Sequence, residues 1–407
     1  MPCASEVSEA EGLDPRRQTG FTLVSDKQSS QRLRLAPGIE IVALGDQRFL
    51  LRSDFVAMEL SGAAAVDLVD RVLRDFEQSR TADDIVLLLS DYRPAGVRDQ
   101  IDELVAQGVL TVTADSKSQE PFQLFLDEIG LGASVSLDRL AQQNVGIFGL
   151  EAHGAQLAVL LADAGIGGLT LVDPYPFDEV HRSLTLIHGA PIGRLRQDVV
   201  ADHVRRDGES TVVVAPIRTE AALDRGAVAD TVAACDIVIA CWDRGMSACN
   251  HWVNEAAVAS GVPALYSELR ATSCFAGPFV FPQRSACYMC SRMRSLACED
   301  DFASAMALEE HHDRERRPAL GERPMLPILP SHLSTVLGLE VLRYLLRLNQ
   351  PRLVDRVLEL DALAFETTSH SVLVEPACPV CGKKNSANIS TGSSLASRPT
   401  LSSMSTI

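Results

Sequence analysis

Two cysteine pairs carry the clearest chemistry in this sequence. Cys287-Tyr-Met-Cys290 and Cys378-Pro-Val-Cys381 each present two thiols at knuckle spacing. Four thiolates in a tetrahedron are the usual ligand set of a structural zinc, whereas a redox disulfide needs only one such pair. Four sulfur ligands leave no position for water, so a zinc on Cys287, Cys290, Cys378 and Cys381 is expected as a staple and not as a catalyst. Cys235, Cys241, Cys249 and Cys274 fall in apolar contexts and read as core. Cys298, in a polar stretch, is the one candidate transfer thiol. The run Glu309-Glu310-His311-His312-Asp313 has metal-binding side chains, but its charged, proline-rich setting reads as a solvated loop.

The second stretch with chemical content is VGIFGLEAHGAQLAVLLADAGIGGLTLVD, residues 145–173. An apolar run ends at Gly149, helical spacing follows from Ala155 to a cap at Gly165, and a second apolar run ends at Asp173. This is a βαβ module of nucleotide-binding shape. A phosphate-cradling turn needs glycines so that backbone N–H groups can approach the phosphates. In Gly149-Leu150-Glu151-Ala152-His153-Gly154 only the outer glycines remain, and Glu151 puts a carboxylate where a polyphosphate would lie. Asp173 follows the turn by about 20 positions, where an acidic residue meets a ribose hydroxyl. The shape favours a nucleotide and the charge opposes one, which makes ATP a doubtful cofactor.

These residues resemble the ThiF/MoeB family, whose fold is shared with ubiquitin-activating enzymes and whose members adenylate the carboxyl terminus of a small protein or peptide. The resemblance runs from about residue 145 to Cys381. The stretch Cys235-Asp236-Ile-Val-Ile-Ala-Cys-Trp-Asp243 is similar to the family strand that ends in a metal-binding aspartate. Asn254 and Gly261-Val262-Pro263 follow at the family's spacing. Two departures stand out. The asparagine- and arginine-bearing segment after the ribose aspartate is reduced to Glu179-Val180-His181-Arg182-Ser183. The lysine expected near Gly193 is Arg196, which keeps the charge but not the compact ammonium geometry. The resemblance therefore implies an inherited scaffold in which Gly149, Gly154, Asp173, Arg182, Arg196 and Asp243 are the remains of a nucleotide site.

The elements that would hold these groups follow from composition and periodicity. A chain of 407 residues, 46% hydrophobic and 22% charged, has ample core for two or three domains. It holds no run long and apolar enough to span a membrane, and its first residues lack the charged and apolar regions of a signal peptide. A net charge of −17 opposes nonspecific nucleic-acid binding. Ten cysteines without an export signal point to thiols or metal ligands in a reducing compartment, and so to a cytoplasmic protein.

Residues 1–30 are polar and aperiodic and are expected to be disordered. Residues 31–113 then give three short strands (32–35, 39–44, 48–52), three helices opened by Ser61, Thr81 and Pro94, and a closing strand at 109–112, a small winged helix-turn-helix domain. Its third helix carries one arginine against Asp99, Asp102 and Glu103, which repels DNA phosphate. The same arrangement resembles the PqqD-like peptide-recognition domains of ribosomal-peptide modification systems. There the substrate's leader adds to the third strand and packs against the third helix. Carried over, the pairing strand is Arg48, Phe49, Leu50, Leu51 and Arg52, facing Val97, Ile101 and Leu104. Backbone hydrogen bonds would give affinity and alternate side chains register. The plainer alternative is a structural domain with a covered edge. Residues 114–143 are expected to be a linker with an amphipathic piece, 144–382 an α/β Rossmann-like ThiF-type domain with the zinc knuckles, and 383–407 a disordered Ser/Thr-rich tail.

The segment Gly277-Pro-Phe-Val-Phe-Pro-Gln-Arg-Ser-Ala-Cys287 and the ending His370-Ser-Val-Leu-Val-Glu-Pro-Ala-Cys-Pro-Val-Cys-Gly382 resemble a narrower group. This is the ThiF-like, or C, component of the azoline-forming cyclodehydratases of thiazole/oxazole-modified microcins. That group implies a non-catalytic subunit that binds the precursor's leader peptide, with ATP-dependent cyclisation carried out by a YcaO-domain cyclodehydratase on another polypeptide. Family relatives usually dimerise, and a long apolar helix after Pro330-Ser331 would suit a homodimer interface. Two other functions compete with this scaffold role: a true adenylating enzyme and a winged-helix regulator.

Overall fold

The computed structural model describes residues 31–74, 79–112, 120–207, 211–242, 246–315 and 324–382. The expectations for residues 1–30 and 383–407, and for Asp243, lie outside them. The chain divides into two compact units, with the boundary at Ala133 and Ser134.

The first unit is built from β1 (Arg32–Leu35), β2 (Glu40–Gly45), β3 (Arg48–Arg52), β4 (Ala57–Ser61), α1 (Ala63–Leu68), β5 (Arg80–Thr81), α2 (Ala82–Leu88), α3 (Pro94–Ala106), β6 (Leu110–Val112) and α4 (Pro121–Glu128). One small sheet has the order β5-β1-β6 and the other β2-β3-β4. Thr81 caps α2 in a reciprocal capping box with Asp84, and Pro94 opens α3, as the sequence predicts. Ser61 does not cap a helix. It ends β4, a strand missed because Ala57-Met-Glu-Leu-Ser61 has weak alternation, and Gly62 precedes α1.

Two corrections to the expected peptide groove follow from this topology. β3 is the middle strand, with Leu50 opposite both Val42 of β2 and Glu59 of β4, so its backbone has no free edge for an added strand. Among the described residues, the outer strands of this sheet are β2 and β4. Val97, Ile101 and Leu104 do not line an open pocket either. They are 6%, 3% and 0% exposed and pack with Phe49 and Leu51 in the core of the unit.

The second unit begins within α5 (Ala133–Ala141), so residues 121–141 hold two helices, α4 over the amphipathic piece expected in the linker and α5 after it. It continues through β7 (Asn144–Phe148), α6 (His153–Asp163), β8 (Gly168–Val172), α7 (Glu179–Leu184), α8 (Arg196–Asp207), β9 (Thr211–Val214), α9 (Arg225–Ala233), β10 (Ile237–Ala240) and α10 (Ser247–Ser260). After these come β11 (Ala264–Leu269), β12 (Ser273–Val280), α11 (Tyr288–Ala297), α12 (Phe302–Glu315), α13 (Leu329–Leu346), β13 (Arg356–Asp361) and β14 (Glu366–Ser371). Eight strands form one sheet in the order β14-β13-β12-β11-β10-β7-β8-β9. β9, β8, β7, β10 and β11 run parallel and the remaining three antiparallel.

The parallel strands read as continuous apolar runs because both faces are covered. α6 packs with α8 and α13, while α9 packs with α10. Strand order reverses at β7, whose neighbours are β8 on one side and β10 on the other. The crevice beyond the carboxyl ends of β7 and β10 is therefore where such a sheet holds a ligand. The turn 149–154 lies there, next to Cys241 and Trp242. No helix among the described residues is long and apolar enough to cross a membrane.

Candidate functional site

The whole turn from Gly149 to Gly154 is buried. Gly149 has φ 92°, and a Cβ on it would lie 2.9 Å from the Cys241 carbonyl carbon and the Trp242 nitrogen; one on Gly154 would lie 2.0 Å from the Gly149 oxygen. Gly149 is thus demanded by packing onto the chain after the neighbouring strand, and Gly154 by the closure of the turn on itself. A phosphate cradle leaves its N–H groups free for the ligand. Here the Leu150 N–H donates to Asp173 Oδ2 at 2.8 Å, and the Gly149 N–H donates to the Val172 carbonyl at 2.9 Å.

Asp173 is fully buried and its carboxylate is already engaged. Besides Leu150 it accepts from the Tyr175 N–H at 3.1 Å and from Arg196 Nη1 at 3.1 Å. Arg196, 3% exposed, also reaches Glu151 Oε1 at 3.3 Å, donates from Nε to the Pro176 carbonyl, and lies 5.5 Å over the Tyr175 ring. Burial works against the Arg196 charge, but Asp173 and Glu151 outweigh it and keep its pKa raised. Glu151 therefore does more than repel phosphate. It draws Arg196 inward, so that the protein's own ion triad fills the corner between the turn and the ribose-type aspartate. Arg182 does not take part. It bonds both oxygens of Glu179 on its own helix and the Ala190 carbonyl.

His153 gives the turn a second internal partner. Its Nε2 lies 2.9 Å from Ser267 Oγ, which donates to the Ala240 carbonyl at 3.1 Å. Burial pushes the His153 pKa down to about 3, so the ring is neutral near pH 7. Ser334 of α13 donates to the His153 carbonyl at 2.8 Å. The serine–histidine pair is thereby spent on fixing the turn to the sheet and to α13.

The four predicted zinc ligands converge. Cys287, Cys290, Cys378 and Cys381 bring their Sγ atoms within 4.8 Å of one another. Individual separations are 3.8 Å for Cys287–Cys290, 3.6 Å for Cys287–Cys378 and 3.4 Å for Cys290–Cys381. A tetrahedron with Zn–S bonds of about 2.3 Å has edges of about 3.8 Å, so this donor set fits zinc. Burial pushes the Cys287 thiol up to about 11 and the Cys381 thiol upward too, whereas hydrogen bonds from the Cys381 and Val380 backbone outweigh burial at Cys378 and hold its thiol below the usual value. Asn254, fully buried, holds the knuckle from outside: its Oδ1 accepts from the Tyr288 N–H at 3.0 Å and its Nδ2 approaches Cys287 Sγ at 3.7 Å. The bound metal would tie α11 to the chain beyond β14.

Sequence patterns gave no sign of a chamber of about 1170 Å³ beside the closed turn. Trp242, Tyr266, Phe275 and Tyr288 form its aromatic lining, with Tyr266 and Tyr288 stacked at 4.5 Å. Glu268, Arg270 and Glu359 are among its charged residues, and Arg270 sits 4.4 Å over the Phe275 ring. No residue of the turn 149–154 lines it. Trp242 follows the carboxyl end of β10, and Tyr266 lies within β11 opposite Ala240.

The fold has counterparts among known proteins. The ThiF family model matches residues 122–381, more than half of the 407 residues. The chain belongs to the ThiF family. The molybdopterin-synthase adenylyltransferase of Escherichia coli (strain K12) is 25% identical over 254 residues, covering 60% of this chain and 90% of that protein. Among solved structures, E. coli MccB with MccA-N7isoASN aligns with a TM-score of 0.61 at 15% identity, over 86% of this chain and 100% of that one. E. coli MccB with ATP aligns with a TM-score of 0.62, also at 15% identity, with the same coverage. A heterocyclase in complex with substrate and cofactor aligns with a TM-score of 0.53 at 16% identity, over 87% of this chain but 40% of that chain. These likenesses extend the shared fold beyond the family match and into the first unit.

Proposed function

We propose that this ThiF-family chain is a leader-binding scaffold subunit of an azoline-forming cyclodehydratase, holding a ribosomal precursor peptide for a separate YcaO enzyme. The observation that carries it is the Arg196–Asp173–Glu151 triad. The family's fold is kept while Asp173 and Arg196, two of the residues expected to meet a nucleotide, are bound to each other and, through Arg196, to Glu151. The first unit, a PqqD-like recognition element in this proposal, takes the leader by strand addition. Because β3 is paired on both sides, the added strand belongs at an open edge of the sheet and not along Arg48–Arg52. The likenesses to MccB with MccA-N7isoASN and to a heterocyclase in complex with substrate and cofactor support this reading. Zinc on the four cysteines is structural in this reading.

An adenylating enzyme is the second reading, favoured by the 25% identity to an adenylyltransferase. The test is fluorescence anisotropy of the full chain with the labelled leader half of the precursor peptide from the same gene cluster, with and without Mg·ATP. Saturable binding that ATP does not change supports the scaffold. Absence of leader binding removes it, and tighter binding with ATP favours the enzyme.

A further inference from the structure

We infer that the aromatic chamber of the second unit takes a cationic segment of the precursor downstream of its leader, an inference that rests on the proposed peptide-holding function. The chamber measures about 1170 Å³, and none of Glu151, Asp173 and Arg196 lines it. Its wall contains polar groups that the chain itself does not satisfy. Among the described residues, Trp242 Nε1, Asn250 Oδ1 and Tyr266 Oη are buried and have no hydrogen-bond partner. These three lining residues are 1%, 6% and 1% exposed. A buried donor or acceptor left unsatisfied is destabilising, so such a set marks a place where a ligand completes the bonds. The indole N–H only donates, the amide oxygen only accepts, and the phenol does either. Peptide groups, each with one N–H and one carbonyl, match that set.

Charge decides which peptide. Among the described residues, six carboxylates line the chamber against three arginines, so its wall is acidic. Arg270 is neutralised by Glu268 at 2.9 Å, and Arg292 by Glu309. Arg294 then stands against Glu299, Asp300, Asp301 and Glu359. Strand register arranges the floor. Glu268 of β11 lies opposite Phe275 of β12, which lies opposite Glu359 of β13. Directly opposed residues share a sheet face, so the Phe275 ring sits between two carboxylate-bearing positions roughly 10 Å apart. Arg270 stacks over that ring at 4.4 Å, which shows that the floor suits a guanidinium. Glu359, on the far side of the ring, hydrogen-bonds His370 at 2.7 Å. Such a wall attracts an arginine or lysine side chain and repels a carboxyl terminus.

The test is fluorescence anisotropy of the full chain with two labelled probes: the leader half of the precursor, and the remaining half with an amidated C-terminus. The remaining half should bind saturably on its own. Glu268→Gln/Glu359→Gln should weaken it at least about tenfold and leave the leader half within about twofold. Tyr266→Phe removes the unpartnered hydroxyl but keeps the ring, so it should weaken the remaining half without lowering the Tm. Replacing every Lys and Arg of the remaining half by Gln should weaken it as the carboxylate substitutions do. Leader binding without binding of the remaining half overturns the chamber assignment and leaves the proposed function standing. So does unchanged affinity in the folded variants, or a remaining half that carries no Lys or Arg. Binding that requires a free carboxyl terminus assigns the chamber to a carboxylate tail and also overturns it. If neither half binds, function and chamber fall together.

Discussion

At the scale of single residues, the decisive group is Arg196. Two buried carboxylates depend on it, so Arg196→Met should destabilise the protein by about 3–5 kcal/mol, the cost of leaving buried charge uncompensated. Replacing all three with Glu151→Gln, Asp173→Asn and Arg196→Met should recover most of that loss in urea denaturation. Equal destabilisation in the single and triple variants would show that the ions are not coupled. His153 makes a separate prediction. Its folded pKa, about 3, lies below the ordinary histidine value of 6.5, so between these pH values the unfolded chain binds a proton that the folded chain refuses. Stability should therefore fall as pH drops from about 6.5 toward 3, by up to ~1.4 kcal/mol per pH unit from this group. His153→Gln should flatten that slope, and an unchanged slope would place the titration elsewhere. Glu151 was legible as an obstacle to phosphate from its place in the turn. Its partner was not, because residues 151 and 196 meet only through the tertiary fold.

At the scale of elements, the zinc knuckle joins the start of α11 to the segment after β14, parts of the chain far apart in sequence. Metal analysis of the purified protein should give about one zinc per chain. Cys378→Ser or exhaustive chelation should remove it; a loss of about 3 kcal/mol would lower the Tm by roughly 6–12 °C. A metal-free protein with an unchanged Tm would refute the staple. The spacing of Cys287, Cys290, Cys378 and Cys381 made this site readable, since local CxxC geometry nearly dictates the ligand set. The βαβ unit was equally readable, because residues 145–173 alternate apolar period with turn residues over one continuous stretch. The first unit was less so. β4 has little alternation, so the expected strand count ended at β3 and the pairing edge was assigned to what is the central strand. Val97, Ile101 and Leu104 have the spacing of a helix face, but periodicity cannot distinguish a face that lines a groove from one that fills a core.

At the scale of the whole molecule, the two units have different chemistry. The ThiF-type unit retains the switch-point sheet and the knuckle, with its nucleotide corner occupied by Arg196, Asp173 and Glu151, and it keeps a large aromatic chamber beside that corner. The first unit has a core of its own around two small three-stranded sheets. The α/β class of the second unit followed from sequence because apolar period and glycine turns are local. The state of the nucleotide corner depends on long-range ion pairs and emerged only with the fold. The central claim is that this chain holds the precursor without activating it. ATP–pyrophosphate exchange by the pure protein, with saturating precursor peptide and Mg·ATP, tests that most directly. The closed corner predicts exchange no greater than in a control without protein. Precursor-dependent exchange that is lost in Asp173→Asn would contradict it and make this chain an adenylating enzyme.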